Sequence, residues 1–164
     1  MSRGRLRAEG YDVAQICLNG HVINATSRES PEDNSPFCGQ CGSPTITQCP
    51  SCKTDIRGYL WGSMSLHFQP ASYCLSCGKP YPWTETKIKA AHELAQELED
   101  LSPEDKETLS KSIDDILSDS SRTEVGVTRF KRIMGKVGKE GTSALKSVLV
   151  DIISETAKKL LWPG

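Results

Sequence analysis

A chain of 164 residues with 37% hydrophobic and 6% aromatic content holds too little apolar matter for one large core. It has room for one average domain or two small ones. The formal charge of −1 falls to about −4 once seven thiolates are set against two divalent ions, which argues against general nucleic-acid affinity. No run of about 18 apolar residues is present, so no helical membrane span is expected.

Residues Met1 to Gly10 carry Arg3, Arg5 and Arg7 and no apolar run follows, so no export signal is expected. Seven cysteines, an odd number arranged mainly in CxxC pairs, then point to metal-bound thiolates in the cytoplasm and not to disulfides.

All the cysteines fall between Cys17 and Cys77, and the texture changes after Tyr81-Pro82-Trp83. Two modules follow from this, residues 1–83 and 84–164. The first is rich in Gly, Pro, Ser and Asn, with short extended runs at Val22–Ala25 and Thr45–Thr47. Its ligand pairs come in order: Cys17-x-x-x-His21, Cys38-x-x-Cys41, Cys49-x-x-Cys52 and Cys74-x-x-Cys77. Two residues between cysteines let both sulfurs reach one ion at about 2.3 Å, and eight ligands complete two tetrahedral sets. Gly42 and Gly78 follow their second cysteines, where such a turn often needs a positive φ.

Sequential pairing gives one site from Cys17, His21, Cys38 and Cys41 and a second from Cys49, Cys52, Cys74 and Cys77. The 16 and 21 residues inside these sets suit two zinc ribbons. A cross-brace remains open as the alternative, although a RING module has only two or three residues where seven lie here between Cys41 and Cys49. A redox dithiol at Cys49-Pro50-Ser51-Cys52 is disfavoured, because the motif does not open a helix after a strand. Both sets are closed at four ligands, so the two Zn²⁺ are expected to be structural. His67, in the alternating run Met64–Phe68, reads as a strand residue, and His92 as part of a solvated helix face. Trp61, Tyr81 and Trp83 read as packing residues.

The second module reads as about four helices. Thr84 caps the first, with Ile88, Ala91, Ala95, Leu98 and Leu101 on one face. Ser102-Pro103-Glu104-Asp105 starts the second, as an N-cap, a proline at N1 and two acids that suit the helix dipole. The third begins after Ser120-Ser121 with Phe130, Ile133, Met134 and Val137 inward. Thr142 or Ser143 caps a fourth that runs through Leu160 to Pro163. From Glu85 to Asp119 eleven acids meet four bases, and from Arg122 to Lys146 seven bases meet two acids. These faces complement each other, or Arg129, Lys131, Arg132, Lys136 and Lys139 form an interaction patch for phosphates or an acidic partner. Asp151, Glu155 and Asp114-Asp115 have no accompanying nucleophile or phosphate loop, so no catalytic residues, organic cofactor or small-molecule substrate are expected.

The sequence resembles a bacterial family known as domain of unknown function 2321. The resemblance rests on Cys17-Leu-Asn-Gly-His21, on Phe37 through Cys52, on Tyr73 through Glu85 (YCLSCGKPYPWTE), on Arg129-Phe130-Lys131 and on Asp151 through Thr156. It implies zinc ribbons and no known activity. The expected fold is therefore a small metal-stabilised α+β chain, tandem zinc ribbons of short antiparallel strands followed by an all-helical module. The expected function is a non-catalytic zinc-binding adaptor acting through a protein partner or self-association. A nucleic-acid-binding regulator using the basic helix at 129–139 is the alternative, and a RING-like ligase adaptor a more distant one.

Overall fold

The computed structural model describes residues 10–64 and 67–164. The arginine-bearing start before Gly10, and Ser65 and Leu66 of the run at 64–68, lie outside the described residues. The architecture is α+β: short antiparallel strands and two Cys/His clusters in the N-terminal half, five helices in the C-terminal half. The chain divides into two units after Glu85. Among the described residues no helix is long and apolar enough to cross a membrane.

Five strands shape the first unit: β1 (Tyr11–Val13), β2 (Gln15–Cys17), β3 (Val22–Asn24), β4 (Thr45–Ile46) and β5 (Arg57–Leu60). β2 sits between β3 and β4, with Ile16 opposite Val22 on one side and Ile46 on the other. β1 and β5 form a separate antiparallel pair, with Tyr11 opposite Leu60. The core is thin and includes cysteines of the second cluster: Ala14, Ile16, Ile56, Tyr81 and Trp83 pack with Cys49 and Cys74. Tyr81 and Trp83 stack with centroids 4.7 Å apart, and the Trp83 indole N–H donates to the Ala71 carbonyl.

Buried polar residues tie down the loop between β3 and β4. Asp12 accepts from the amides of Val13, Arg28 and Glu29. Gln15 exchanges hydrogen bonds with the Ser35 backbone, and Asn24 donates to the Ser30 carbonyl and to Asn34. No buried side-chain N or O atom among the described residues lacks a partner, which is the condition for polar groups to sit in an interior without a large penalty.

The helices are α1 (Pro82–Glu97), α2 (Pro103–Ile116), α3 (Thr123–Met134), α4 (Lys139–Leu149) and α5 (Glu155–Leu161). α1 starts at Pro82, two residues before the expected Thr84 cap, because a proline costs nothing in a first turn whose amides have no intrahelical partner. Ser102 caps α2 by accepting from the Asp105 amide at 3.1 Å. The expected fourth helix is two. The chain leaves α4 after Leu149, the Ser154 amide donates to the Ile116 carbonyl, and the Ser154 hydroxyl then caps α5 by accepting from Ala157. α4 itself starts after Gly138 and not at Thr142 or Ser143. Leu109, Ile113, Ile116, Ile133, Leu145 and Leu149 form the fully buried centre of this second unit.

The run at 64–68 departs from expectation. Met64, His67 and Phe68 lie in no strand, and His67 is exposed. Prolines and glycines flank this stretch, and an alternating pattern alone cannot supply the partner strand a ladder requires.

Candidate metal centre

The geometry begins with three copies of one backbone turn. At Cys38, Cys49 and Cys74 the cysteine amide donates to the carbonyl five residues on, and its own carbonyl accepts from the amide four residues on. A bridge closes each turn: Phe37 with Pro44, Gln48 with Asp55, Tyr73 with Pro80. The residue after the second cysteine is left-handed in all three, Gly42 and Gly78 at φ 75° and Lys53 at φ 63°. This folding aims amides at sulfur: Gln40 N–H reaches Cys38 Sγ at 3.3 Å and Ser76 N–H reaches Cys74 Sγ at 3.4 Å. The first ligand pair lies instead at the β2–β3 hairpin, where Cys17 ends β2, Gly20 turns at φ 91° and His21 precedes β3.

The eight expected ligands gather sequentially. Cys17, His21, Cys38 and Cys41 form one cluster and Cys49, Cys52, Cys74 and Cys77 the other, with the ligand atoms of each within 4.8 Å of one another. No cross-brace is formed. A tetrahedral ion with sulfur at about 2.3 Å and nitrogen at about 2.0–2.1 Å has S–S edges near 3.8 Å and S–N edges near 3.6 Å. The observed separations are of this size. Cys17 and Cys41 sulfurs are 3.8 Å apart, Cys49 and Cys77 3.8 Å, Cys52 and Cys74 3.6 Å. His21 Nδ1 lies 3.4 Å from Cys17 Sγ and 3.6 Å from Cys38 Sγ, so Nδ1 is the ring nitrogen placed to ligate an ion. Disulfides are absent from these seven cysteines, and sulfurs this far apart are not bonded. Each cluster can therefore hold one metal ion.

The surrounding groups favour thiolates unevenly. The Ser43 amide and hydroxyl and the Asn19 side-chain amide bring the exposed Cys41 thiol down to about 5. At Cys52 the Thr54 hydroxyl and amide bring it down to about 6. The Cys77 amide lowers Cys74. Burial raises Cys17. At Cys77 the Lys79 amide lowers the value, but burial and the thiols of Cys74, Cys52 and Cys49 outweigh it and push it up to about 11. Four sulfurs this close cannot all ionise without a cation among them. Tyr81 is buried against the second cluster and hydrogen-bonds Cys74, and both effects keep its phenol protonated.

The other candidate residues lie elsewhere. His92 is not merely solvated: its Nε2 lies 2.9 Å from Asp114. Asp115 pairs with Arg122, Asp151 with Lys87 and Glu155 with Lys158, so each acid is held by a cation. The five patch cations do not share one face. At about 100° per residue, Arg129 and Arg132 lie about 60° apart on α3, while Lys131 lies about 200° from Arg129, and Lys136 follows the end of the helix. Lys136 is bound to Asp105 at 2.8 Å, and the Arg132 charge acts on the same carboxylate. Lys139 opens α4.

Sequence reasoning missed the threefold turn, although x-Cys-x-x-Cys-(Gly/Lys)-x-(Pro/Asp) is visible at 37–44, 48–55 and 73–80. It also missed β5, and β1 and β2, where buried Asp12 and Gln15 interrupt the apolar pattern.

A family model for an uncharacterised protein conserved in bacteria, domain of unknown function 2321, matches residues 10–161. No curated protein and no solved structure matches the chain.

Proposed function

The chain belongs to this uncharacterised bacterial family, and we propose that its clusters hold two structural zinc ions in a non-catalytic adaptor that works by binding another protein. The observation that carries the reading is the pair of four-ligand sets at tetrahedral edge lengths. Thiolate and imidazole ligands in that geometry suit Zn²⁺, and a shell closed by four protein groups leaves no position for a water or a substrate. The metal's free energy then goes into folding a unit whose core is too thin to stand alone. Reduced thiolates suit the cytoplasm. The ligase reading needed a cross-brace and loses its basis with sequential grouping.

Freshly purified, reduced protein should contain about two zinc ions per chain by elemental analysis. Iron in their place, or a single ion, would overturn the assignment. Cobalt substitution tests the closed shell: the tetrahedral thiolate spectrum should not respond to azide or cyanide. A spectral shift on adding either anion would show an open position and remove the non-catalytic reading.

A further inference from the structure

The helical unit carries a groove that the metal centres do not use. It has a volume of about 160 Å³ and is lined by Phe130, Lys131 and Met134 of α3, Thr142 of α4, and Leu161 and Trp162 at the end of α5. Lys146, one turn beyond Thr142, holds its ammonium 5.3 Å from the centre of the Trp162 ring. Cofactor and drug-sized sites run to about 300–1,000 Å³, so this groove is too small for such a molecule but large enough for one apolar side chain.

Its charge selects the kind of side chain that can flank the occupant. Lys131 and Lys146 have no carboxylate partner among the described residues, whereas Lys136, Lys158, Arg122 and Lys87 each have one. Two unpaired ammonium groups beside an apolar slot repel a basic segment and attract an acidic one. A carboxylate brought to Lys146 can pair with it while the ammonium stays over the indole, since a cation over a ring face still has donors directed outward. Arg129 and Arg132 lie around α3 from Lys131 and do not border the groove, so the cations do not form the continuous track that a phosphate backbone needs.

We propose that the groove between α3, α4 and α5 is the docking site for an acidic partner peptide, a segment with one large apolar side chain flanked by carboxylates. The apolar side chain enters between Met134, Leu161 and Trp162, and the carboxylates meet Lys131 and Lys146. This deepens the adaptor reading and rests on it.

The test uses the zinc-loaded full chain, isotopically labelled, and two short synthetic peptides. Both carry a central leucine, flanked in one by glutamates and in the other by lysines. The indole N–H signal of Trp162, assigned by loss in Trp162→Phe, should shift on titration with the acidic peptide only. Lys131→Glu with Lys146→Glu should weaken that binding about tenfold or more. Arg129→Glu with Arg132→Glu should leave it within about twofold, because those side chains lie off the groove. Lys131→Gln with Lys146→Gln, which keeps size and avoids new repulsion, guards against misfolding and should weaken binding in the same direction. An equal response to the lysine peptide, or no response to either, would overturn the proposal. So would loss of binding only in the Arg129/Arg132 variant, or the same Trp162 shift on adding an oligonucleotide. A shift produced by raising protein concentration alone would assign the groove to a second copy and overturn it as well. None of these readouts depends on zinc count or coordination, so a two-zinc protein that ignores the acidic peptide would remove this groove and leave the adaptor reading standing.

Discussion

Lys53 occupies a backbone position that glycine fills in the two sister turns. Its φ of 63° lies in the left-handed region, which costs an L-residue with a Cβ roughly 1–2 kcal/mol. Gly42 and Gly78 take the same conformation with open space around them, so a Cβ there would meet strain but no clash. Gly78→Ala should therefore lower stability by about 1 kcal/mol, read as a lower thermal midpoint of the metal-loaded protein. Lys53→Gly should be neutral or mildly stabilising, since relief of strain is offset by about 0.5–1 kcal/mol of added chain entropy. A tolerated Gly78→Ala would contradict the shared geometry of the three turns. Thr54 has a second, chemical role at the same turn. Its hydroxyl lies 3.3 Å from Cys52 Sγ and, together with its backbone amide, holds that thiol down to about 6. Metal is lost on acidification as protons compete for thiolates, and a thiolate with a lower pKa resists to lower pH. Thr54→Val removes the donor and raises the thiol pKa, so metal release from the second cluster should begin at higher pH. Affinity there should fall about 10–100-fold in chelator competition, with the first cluster unchanged.

Among the elements of the helical unit, α2 and α3 pack against each other most extensively, and Gly126 lies in their contact. A Cβ at Gly126 would lie 2.6 Å from Asp115 Cβ and 3.2 Å from the Ser112 carbonyl oxygen. Neither can swing aside, because one is the root of a side chain and the other is helix backbone. Gly126→Ala should destabilise the helical unit by about 1–3 kcal/mol in urea unfolding, despite alanine's higher helix propensity. Gly141 provides the comparison within α4. A Cβ there meets Val137 Cγ1 at 2.7 Å and Leu98 Cδ2 at 2.8 Å, both ends of side chains that can rotate. Its gain of about 1 kcal/mol in helix propensity is then largely retained, and Gly141→Ala should cost far less than Gly126→Ala. Equal losses at the two positions would show that helix approach is not what sets them apart.

At the scale of the whole molecule, two kinds of core coexist in one chain. The core of the first unit incorporates Cys49, Cys52 and Cys74, whereas that of the second consists of aliphatic residues with Phe130 and the half-buried Trp162. Removing metal leaves the first unit with packed thiols that repel on ionising and little apolar area to hold them. Chelation should therefore abolish protection from hydrogen exchange before Glu85, while amides of α2, α3 and α4 stay protected. Loss of all helical circular dichroism on chelation would mean that the helices depend on the metal-bearing unit.

The metal centres were legible because their information is local. A Cys-x-x-Cys turn defines its own hydrogen bonds, and eight candidate ligand residues make up two four-ligand sets whatever the rest of the chain does. The Ser102–Pro103 start of α2 was legible for the same reason: cap and first turn are neighbours in sequence. Which pairs share an ion was not local. It follows from β2 running between β3 and β4, which places Cys17 beside Cys41. The break between α4 and α5 lay hidden behind an unbroken apolar period, because its cause is the long-range bond from the Ser154 amide to the Ile116 carbonyl. The basic run at 129–139 was visible as composition, but helix geometry and the Asp105 carboxylate divided it among different surroundings. The sequence by itself determined the eight candidate ligand residues and the starts of α2 and α3, all set by neighbours a few residues apart. Only the tertiary structure decided ligand pairing, the extra helix and which cations stand unpaired, because each depends on contacts between residues far apart in the chain.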